Sequence, residues 1–291
     1  MSSPMTIGLI GLGLMGKALA GRLLEAGYEL LGFDITPTCR EEFAARGGTV
    51  ALDAGAIFSS CDVVLLSLPT YDEVLAVLES HAADCRAGQL LVDTTTGAPE
   101  VAAQIAGRLA ERDVTYLDAT VSGSSAQLRA GEVLWMVGGE RAGFDRCVEL
   151  LRSLGREVVH TGAAGSGAKM KLVTNLVLGL NRAALAEGLA LANGLQLDLR
   201  ETLTVLRASA AYSKIMDSKG EKMITGDFSP VARLSQHLKD VRLILAAGAE
   251  AGTRLPLSDA HVSLLEEAET RGFGPLDNSA IAAVYFHGPA Q

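Results

Sequence analysis

The sequence predicts a two-part α/β protein: a doubly wound, largely parallel sheet covered by helices, followed by a second, all-α domain. Three observations carry this. Short apolar runs alternate with helix-period segments through the first half, a glycine-rich turn joins the first run to the first helical segment, and beyond Gly165-Ser-Gly167 the β-rich runs stop. We expect the sheet domain over residues 1–163 and the helical domain over residues 164–291, opening on a long inter-domain helix.

The expected strands are residues 6–10, 29–33, 63–68, 89–92, 115–117 and 134–137, each short, apolar and flanked by Gly, Pro or Asp, as strands buried on both faces are. Between them, residues 17–26, 38–46, 71–78 and 99–112 repeat apolar residues at three- and four-residue steps. In the second half, residues 168–194 form one helical pattern, which at 1.5 Å per residue would reach roughly 40 Å. Residues 199–209, 234–251 and 258–270 follow with the same period. No repeat or low-complexity tract interrupts them.

Composition narrows the function. Of 291 residues, 48% are hydrophobic and 20% charged, and 25 Lys plus Arg face 34 Asp plus Glu for a formal charge of −9. With no Lys/Arg block, the chain lacks the clustered positive field that a nucleic acid or an anionic membrane requires. The mean hydropathy is +0.27, yet the most apolar stretch, residues 172–192, is broken by Asn175, Asn181, Arg182 and Glu187. That falls short of the roughly 20 clean apolar residues of a membrane span. Met1-Ser-Ser-Pro-Met5 has no basic, apolar, small-residue order of a secretion signal, and Cys39, Cys61, Cys85 and Cys147 show no C-x-x-C pairing. A reduced, cytoplasmic setting is expected.

Gly11-Leu12-Gly13-Leu14-Met15-Gly16 is a G-x-G-x-x-G placed where a strand runs into a helix. In that setting Gly11 permits the tight turn, Gly13 lets a pyrophosphate approach the backbone, and Gly16 lets the helix pack closely. The free N–H groups and positive end of the helix would then hold phosphates, which would make the first domain a Rossmann-type dinucleotide site; a purely structural glycine turn is the alternative. Asp34 ends the next strand about 20 residues on, where an acid accepts hydrogen bonds from the adenosine ribose and repels a 2′-phosphate. Ile35-Thr36-Pro37 supplies no Arg, which favours NAD; nearby Arg40 keeps NADP open, and Asp34 could also be a plain turn former.

Two more strand-end loops, Leu68-Pro69-Thr70 and Asp93-Thr94-Thr95-Thr96-Gly97, fall on the expected ligand edge of the sheet. Taken alone, either is more often ordinary strand-to-helix punctuation. A third, Asp118-Ala-Thr-Val-Ser122-Gly123-Ser124, offers hydroxyl and backbone donors for a substrate carboxylate or hydroxyl. On the long helix Lys171 and Asn175 stand four apart, on one face, among apolar neighbours. A buried lysine has its pKa drawn toward neutrality and suits proton transfer, and Asn175 could orient the reacting oxygen. A lone helical lysine is more often a solvated surface group, as Lys169 is expected to be.

These motifs, in this order, resemble the β-hydroxyacid dehydrogenases, the family of 3-hydroxyisobutyrate dehydrogenase, tartronate semialdehyde reductase and the glyoxylate/succinic semialdehyde reductases. The likeness covers nearly the whole chain and includes Gly165-Ser-Gly-Ala-Lys-Met-Lys171-Leu-Val-Thr-Asn175, Lys239-Asp240, Pro256 and Gly272-Phe-Gly-Pro-Leu-Asp277-Asn-Ser279-Ala280. It implies an oxidoreductase moving a hydride between NAD (NADP remaining possible) and a small hydroxy or semialdehyde carboxylic acid, without a metal. Lys171 would be the general acid/base, Asn175 would orient the substrate, and Ser122 with Gly123 would grip it. Thr95, Thr96 and Lys239 would meet the cofactor, while Asp240 would stabilise the fold. The family's helical domains pack together, so a homodimer or homotetramer is expected.

The sequence departs from the family at Thr120 (often Pro), Ser124 (Gly), Leu128 (Ala) and Thr174 (Asn in some branches), all expected near the substrate. Gly-Ala-Lys-Met-Lys-Leu looks most like the glyoxylate/succinic semialdehyde branch, which usually carries Asn-Arg, for NADP, where this chain has Asp34-Ile35. Two alternatives share the fold: an imine reductase, which usually replaces the lysine, and a non-catalytic dinucleotide binder. A serine or cysteine hydrolase is disfavoured, since no G-x-S-x-G occurs and His81, His160, His237, His261 and His287 show no triad spacing.

Overall fold

Strands rich in Val, Leu and Ile form the centre of the first half, because only burial on both faces satisfies near-continuous apolar runs. The structure, a computed structural model, describes residues 5–286; residues 1–4, read above for a secretion signal, and His287 lie outside the described residues. The chain runs β1 (Thr6–Ile10), α1 (Leu14–Glu25), β2 (Glu29–Phe33), α2 (Pro37–Ala45), β3 (Thr49–Val50), α3 (Ala54–Ser60), β4 (Val63–Leu66), α4 (Tyr71–His81), β5 (Leu90–Asp93) and α5 (Pro99–Ala110). It continues through β6 (Thr115–Ser122), α6 (Ser125–Arg129), β7 (Leu134–Gly138), α7 (Arg141–Leu154) and β8 (Glu157–Gly162).

The eight strands take the order β3-β2-β1-β4-β5-β6-β7-β8. All neighbours are parallel except β6 and β7, which pair antiparallel with Asp118 opposite Gly138. Successive side chains of the buried strands alternate between the two faces of the sheet, as a period of two requires. Ile7, Leu9, Leu65 and Val92 pack with α1 and α7, whereas Ile10, Val64, Leu66 and Leu91 pack with α3, α4 and α5. The order reverses between β1 and β4, so the carboxyl ends of these two strands flank the crevice where open α/β sheets bind ligands.

Several elements exceed the sequence expectation. The strand expected at 115–117 continues to Ser122, because Asp118 and Thr120 are polar yet fully buried, with their oxygens hydrogen-bonded rather than solvated. Strand β8 pairs with β7 alone, and its half-exposed side chains give no apolar run to read. Helix α7 buries Phe144, Cys147, Leu150, Leu151 and Leu154 along one face, and its many charged residues lie on the other. Short α3, α6 and β3 were also not foreseen; seven residues or fewer leave too little periodicity.

The second half is helical: α8 (Ser166–Gly194), α9 (Leu199–Ala208), α10 (Ile215–Thr225), α11 (Leu234–Glu250), α12 (Pro256–Thr270) and a 3-10 segment, Asn278–Val284. Of these α10 is an addition to the expectation. The core of this half is built from Leu189, Leu203, Met223, Leu238, Leu265 and Ile281. The chain divides into two compact units after Lys171, inside α8, so that α8 begins in the first unit and continues into the second. Among the described residues no helix is long and apolar enough to cross a membrane.

Candidate active site

The glycine loop is shaped by steric necessity. Gly11 has φ +94°, and a Cβ there would stand 2.3 Å from the Ser67 carbonyl oxygen at the end of β4; a Cβ on Gly16 would meet the Gly11 carbonyl oxygen at 2.0 Å. At Gly13, the N-cap of α1, a Cβ would meet nothing within 4 Å, so the backbone is open on that side. The first turn of α1 carries no acid and no side-chain cap. Its orphan amides and positive end therefore suit a diphosphate. Leu14 is exposed, Met15 half-buried, and Leu12 fully buried with its amide donating to Asp34 Oδ2 at 2.7 Å.

That bond joins the loop to the end of β2. The second oxygen of Asp34 accepts from the Thr36 amide at 2.8 Å, which leaves lone pairs at the edge for a ribose hydroxyl. Arg40 donates to the Asp34 carbonyl at 2.5 Å, and its guanidinium lies 5.6 Å from the centre of the Phe33 ring. The carboxylate and the open glycine turn fit the adenosine and diphosphate parts of a nicotinamide dinucleotide.

At the ends of β4 and β5 the expected loops are tied to each other. The Leu68 amide donates to Thr95 Oγ1 at 3.3 Å, and the Thr95 amide to Asp93 Oδ1 at 2.8 Å. Tyr116 on β6 donates to Asp93 Oδ2 at 2.7 Å. Thr95 is thus buried, with its hydroxyl oxygen accepting from the chain itself, while the neighbouring Thr96 is half-exposed. Pro69 leads into Thr70, whose hydroxyl caps α4. Asp93 was not singled out from sequence, although an acid ending an apolar strand is its visible signal. Burial drives its carboxyl up to about 6 against the pull of its Thr95 and Tyr116 donors.

The end of β6 brings together Ser122, Gly123 and Lys171. Ser122 is the last strand residue and Gly123 turns away with φ +150°, where a Cβ would strike Val133 at 2.7 Å. Helix α8 is seated on the same strand: Asp118 accepts from the Gly165 and Ala168 amides, each at 2.8 Å, and Thr120 donates to the Gly167 carbonyl at 2.9 Å. From that seat the half-buried Lys171 sends Nζ to the Val121 carbonyl at 2.6 Å, while Lys169 points outward. In the second unit, Asn175 is buried and donates through Nδ2 to Asp240 Oδ2 on α11 at 3.0 Å. A carboxylate only accepts, so Asp240 fixes the amide orientation and turns Asn175 Oδ1 the other way. Sequence spacing gave Asp240 no link to Asn175. Lys239 adjoins Asp240 on α11 and is half-buried.

Three of the four family departures also have a part in the fold. Thr120 holds the start of α8, Ser124 caps α6 in a reciprocal pair with Gln127, and Leu128 is fully buried in the sheet-domain core.

Comparison with known proteins agrees with this geometry. Residues 6–162 match the model for the NAD-binding domain of 6-phosphogluconate dehydrogenase, and residues 165–285 that for the NAD-binding region of NADP-dependent 3-hydroxyisobutyrate dehydrogenase. The chain is 33% identical to 2-(hydroxymethyl)glutarate dehydrogenase of Eubacterium barkeri, over 98% of this chain and 96% of that protein. The chain belongs to the β-hydroxyacid dehydrogenase family. It is accordingly an NAD(P)-dependent hydroxyacid dehydrogenase, as the sequence motifs implied. L-threonate dehydrogenase of Cupriavidus necator is 32% identical over 96% of this chain and 95% of its own length. The structure of Mycobacterium tuberculosis 3-hydroxyisobutyrate dehydrogenase with L-serine superimposes with a TM-score of 0.88, at 27% identity, covering 96% of this chain and 98% of that one.

Asp93 gives the dehydrogenase a pH signature. Its folded-state pKa of about 6 lies above the ordinary 3.8, so folding favours the protonated form. Its contribution to stability is therefore greatest at low pH and falls as pH rises from about 4 to about 6. Asp93→Asn should remove roughly 2–3 kcal/mol of that pH dependence, read from urea midpoints of both proteins across the interval. An unaltered dependence would refute this account of Asp93.

Proposed function

We propose that this dehydrogenase interconverts a small β-hydroxy carboxylic acid with its keto or semialdehyde acid, using NAD, with Lys171 as the proton carrier. The observation that carries the reading is the Lys171 amine, held 2.6 Å from the Val121 carbonyl beside Ser122 and Gly123. Residues 1–163 would hold the dinucleotide, through Gly11 to Gly16, Asp34, Leu68, Pro69, Thr95 and Thr96, with Lys239 contributing from the helical residues 164–291. When bound, the dinucleotide supplies the hydride acceptor or donor at its nicotinamide ring.

In oxidation, neutral Lys171 Nζ takes the proton of the substrate hydroxyl as the carbinol carbon gives up hydride; in reduction, protonated Nζ returns the proton to the carbonyl oxygen. The Val121 carbonyl accepts from Nζ and holds the amine at one end of its reach. Ser122 and the Gly123 backbone bind the substrate carboxylate or hydroxyl, and Asn175, turned by Asp240, offers Oδ1 and its remaining N–H to the reacting group. The substrate class is supported by the relatives: 2-(hydroxymethyl)glutarate, L-threonate and L-serine each join a carboxylate to a hydroxyl.

Asp34, beside the glycine loop, supports NAD by repelling a 2′-phosphate. NADP is the second reading, favoured by the guanidinium of Arg40 beside the same edge. A second copy of the chain is the expected partner: Met170, Val173, Val177 and Leu191 leave an exposed apolar stripe along α8. A cytoplasmic setting accords with four cysteines that are all free thiols.

Lys171→Ala should lower kcat by about 10²–10⁴-fold while dinucleotide Kd stays within a few-fold of the parent, measured on a panel of hydroxy acids with both cofactors. Turnover equal to the parent's would end the assignment. Light scattering should give a mass that is a multiple of the 30.3 kDa chain; a monomer would remove the α8 partner.

A further inference from the structure

Two turns beyond Asn175, on the same face of α8, stands a charge that the proposed reaction does not use. Arg182 is 2% exposed. Its Nε and Nη1 are buried, and neither has a hydrogen-bond acceptor among the described residues. Burial lowers the guanidinium only to about 10, so it remains charged at neutral pH.

The acid whose charge reaches Arg182 is Asp277, which is already fully engaged. It accepts from Lys219 Nζ at 2.7 and 2.8 Å, from the Ser279 hydroxyl at 2.7 Å, and from the amides of Ser279, Val231 and Ala232 at 3.1 Å each. Lys219 matches the single negative charge of Asp277. Asp240, the other buried acid of this unit, is bound to Asn175 and does not act on Arg182, so around Arg182 two buried cations face one buried anion, a costly arrangement unless something else neutralises it.

Among the described residues no acid besides Asp277 acts on Arg182, and the same unit buries further polar atoms without partners. His261 on α12 is 2% exposed, and its Nε2 is buried without a protein partner; so is Oδ1 of Asn278, the residue after Asp277. The His261 ring lies against the backbone of α8 one turn before Arg182, for a Cβ on Gly179 would stand 2.7 Å from its Cε1. Burial, and then the charge of Arg182, hold His261 down at about 4, so it is neutral and does not relieve the imbalance.

We propose that Arg182 is the centre of a buried anion site within the helical unit, taking one small monovalent anion of the halide class on its Nε and Nη1 hydrogens, with His261 beside it. One net positive charge calls for one negative charge. Guanidinium and imidazole N–H groups are donors, which select an anion and reject a metal ion. The site is structural: it lets a cation stay inside the core of α8, α12 and the Asn278–Val284 segment.

The test uses the full chain at constant ionic strength, with gluconate, too large for a closed site, replaced stepwise by chloride or bromide. The melting temperature should rise saturably, on the order of 5 °C at a hundred-fold excess over Kd. Arg182→Met, which keeps the stem and removes the charge, should melt at the same temperature in all three salts. Crystals grown in bromide should show an anomalous peak beside Nε and Nη1. Identical melting of the parent in gluconate and halide, a halide response that persists in Arg182→Met, or a bromide crystal without that peak would each overturn the proposal. If Arg182→Met does not fold, the parent's halide titration and the bromide peak decide.

Discussion

The carboxylate of Asp118 under the first turn of α8 is the constraint on which the candidate site depends. A helix begins with amides that have no partner of its own, and Asp118 accepts two from the start of α8, those of Gly165 and Ala168. Burial raises its pKa and these amides oppose that rise. The seat tolerates no extra atom: a Cβ on Gly138 would lie 2.5 Å from Asp118 Oδ1, and one on Gly167 would lie 2.3 Å from the Asp118 carbonyl oxygen. With the helix fixed there, Lys171 falls in its second turn. Val121 lies three residues further along β6, about 10 Å at strand rise, within the span of a lysine stem leaving the helix. The 2.6 Å contact between Nζ and the Val121 carbonyl is thus a consequence of strand and helix geometry.

The same device recurs. Asp93 ties the β5 loop to the backbone of Thr95 and to Tyr116, Asp34 ties the glycine loop to β2, and Asp240 sets the amide of Asn175. In each case an acid fixes another group by accepting its N–H or O–H. Such bonds to a charged acceptor are stronger than neutral ones and more directional than apolar packing.

Much of this was legible in the sequence because its signals are local. The glycines of Gly11 to Gly16, Asp34 about one strand further on, and the change from two-residue to helical period after Gly167 each lie within a short window. What was not legible depends on partners far apart along the chain. Asp240 lies 65 residues from Asn175, so no spacing rule connects them. Asp118 and Thr120 break an apolar run, and only their bonds to the start of α8 explain why the strand continues through them. Thr120, Ser124 and Leu128 stood out in the sequence only as departures from the family, and their bonds and packing within the fold are set by partners that spacing does not show. Helix α7 and strand β8 escaped for opposite reasons, one hidden by abundant charge and the other too exposed to show a pattern.

The central claim is that the amine of Lys171 trades a proton with the reacting oxygen. A crystal structure of the enzyme with oxidised dinucleotide and a β-hydroxy acid measures this most directly. Lys171 Nζ should lie within about 2.6–3.2 Å of the substrate hydroxyl oxygen, with the carboxylate on Ser122 and Gly123. A bound substrate whose hydroxyl is served by another group, with Nζ out of reach, would contradict it.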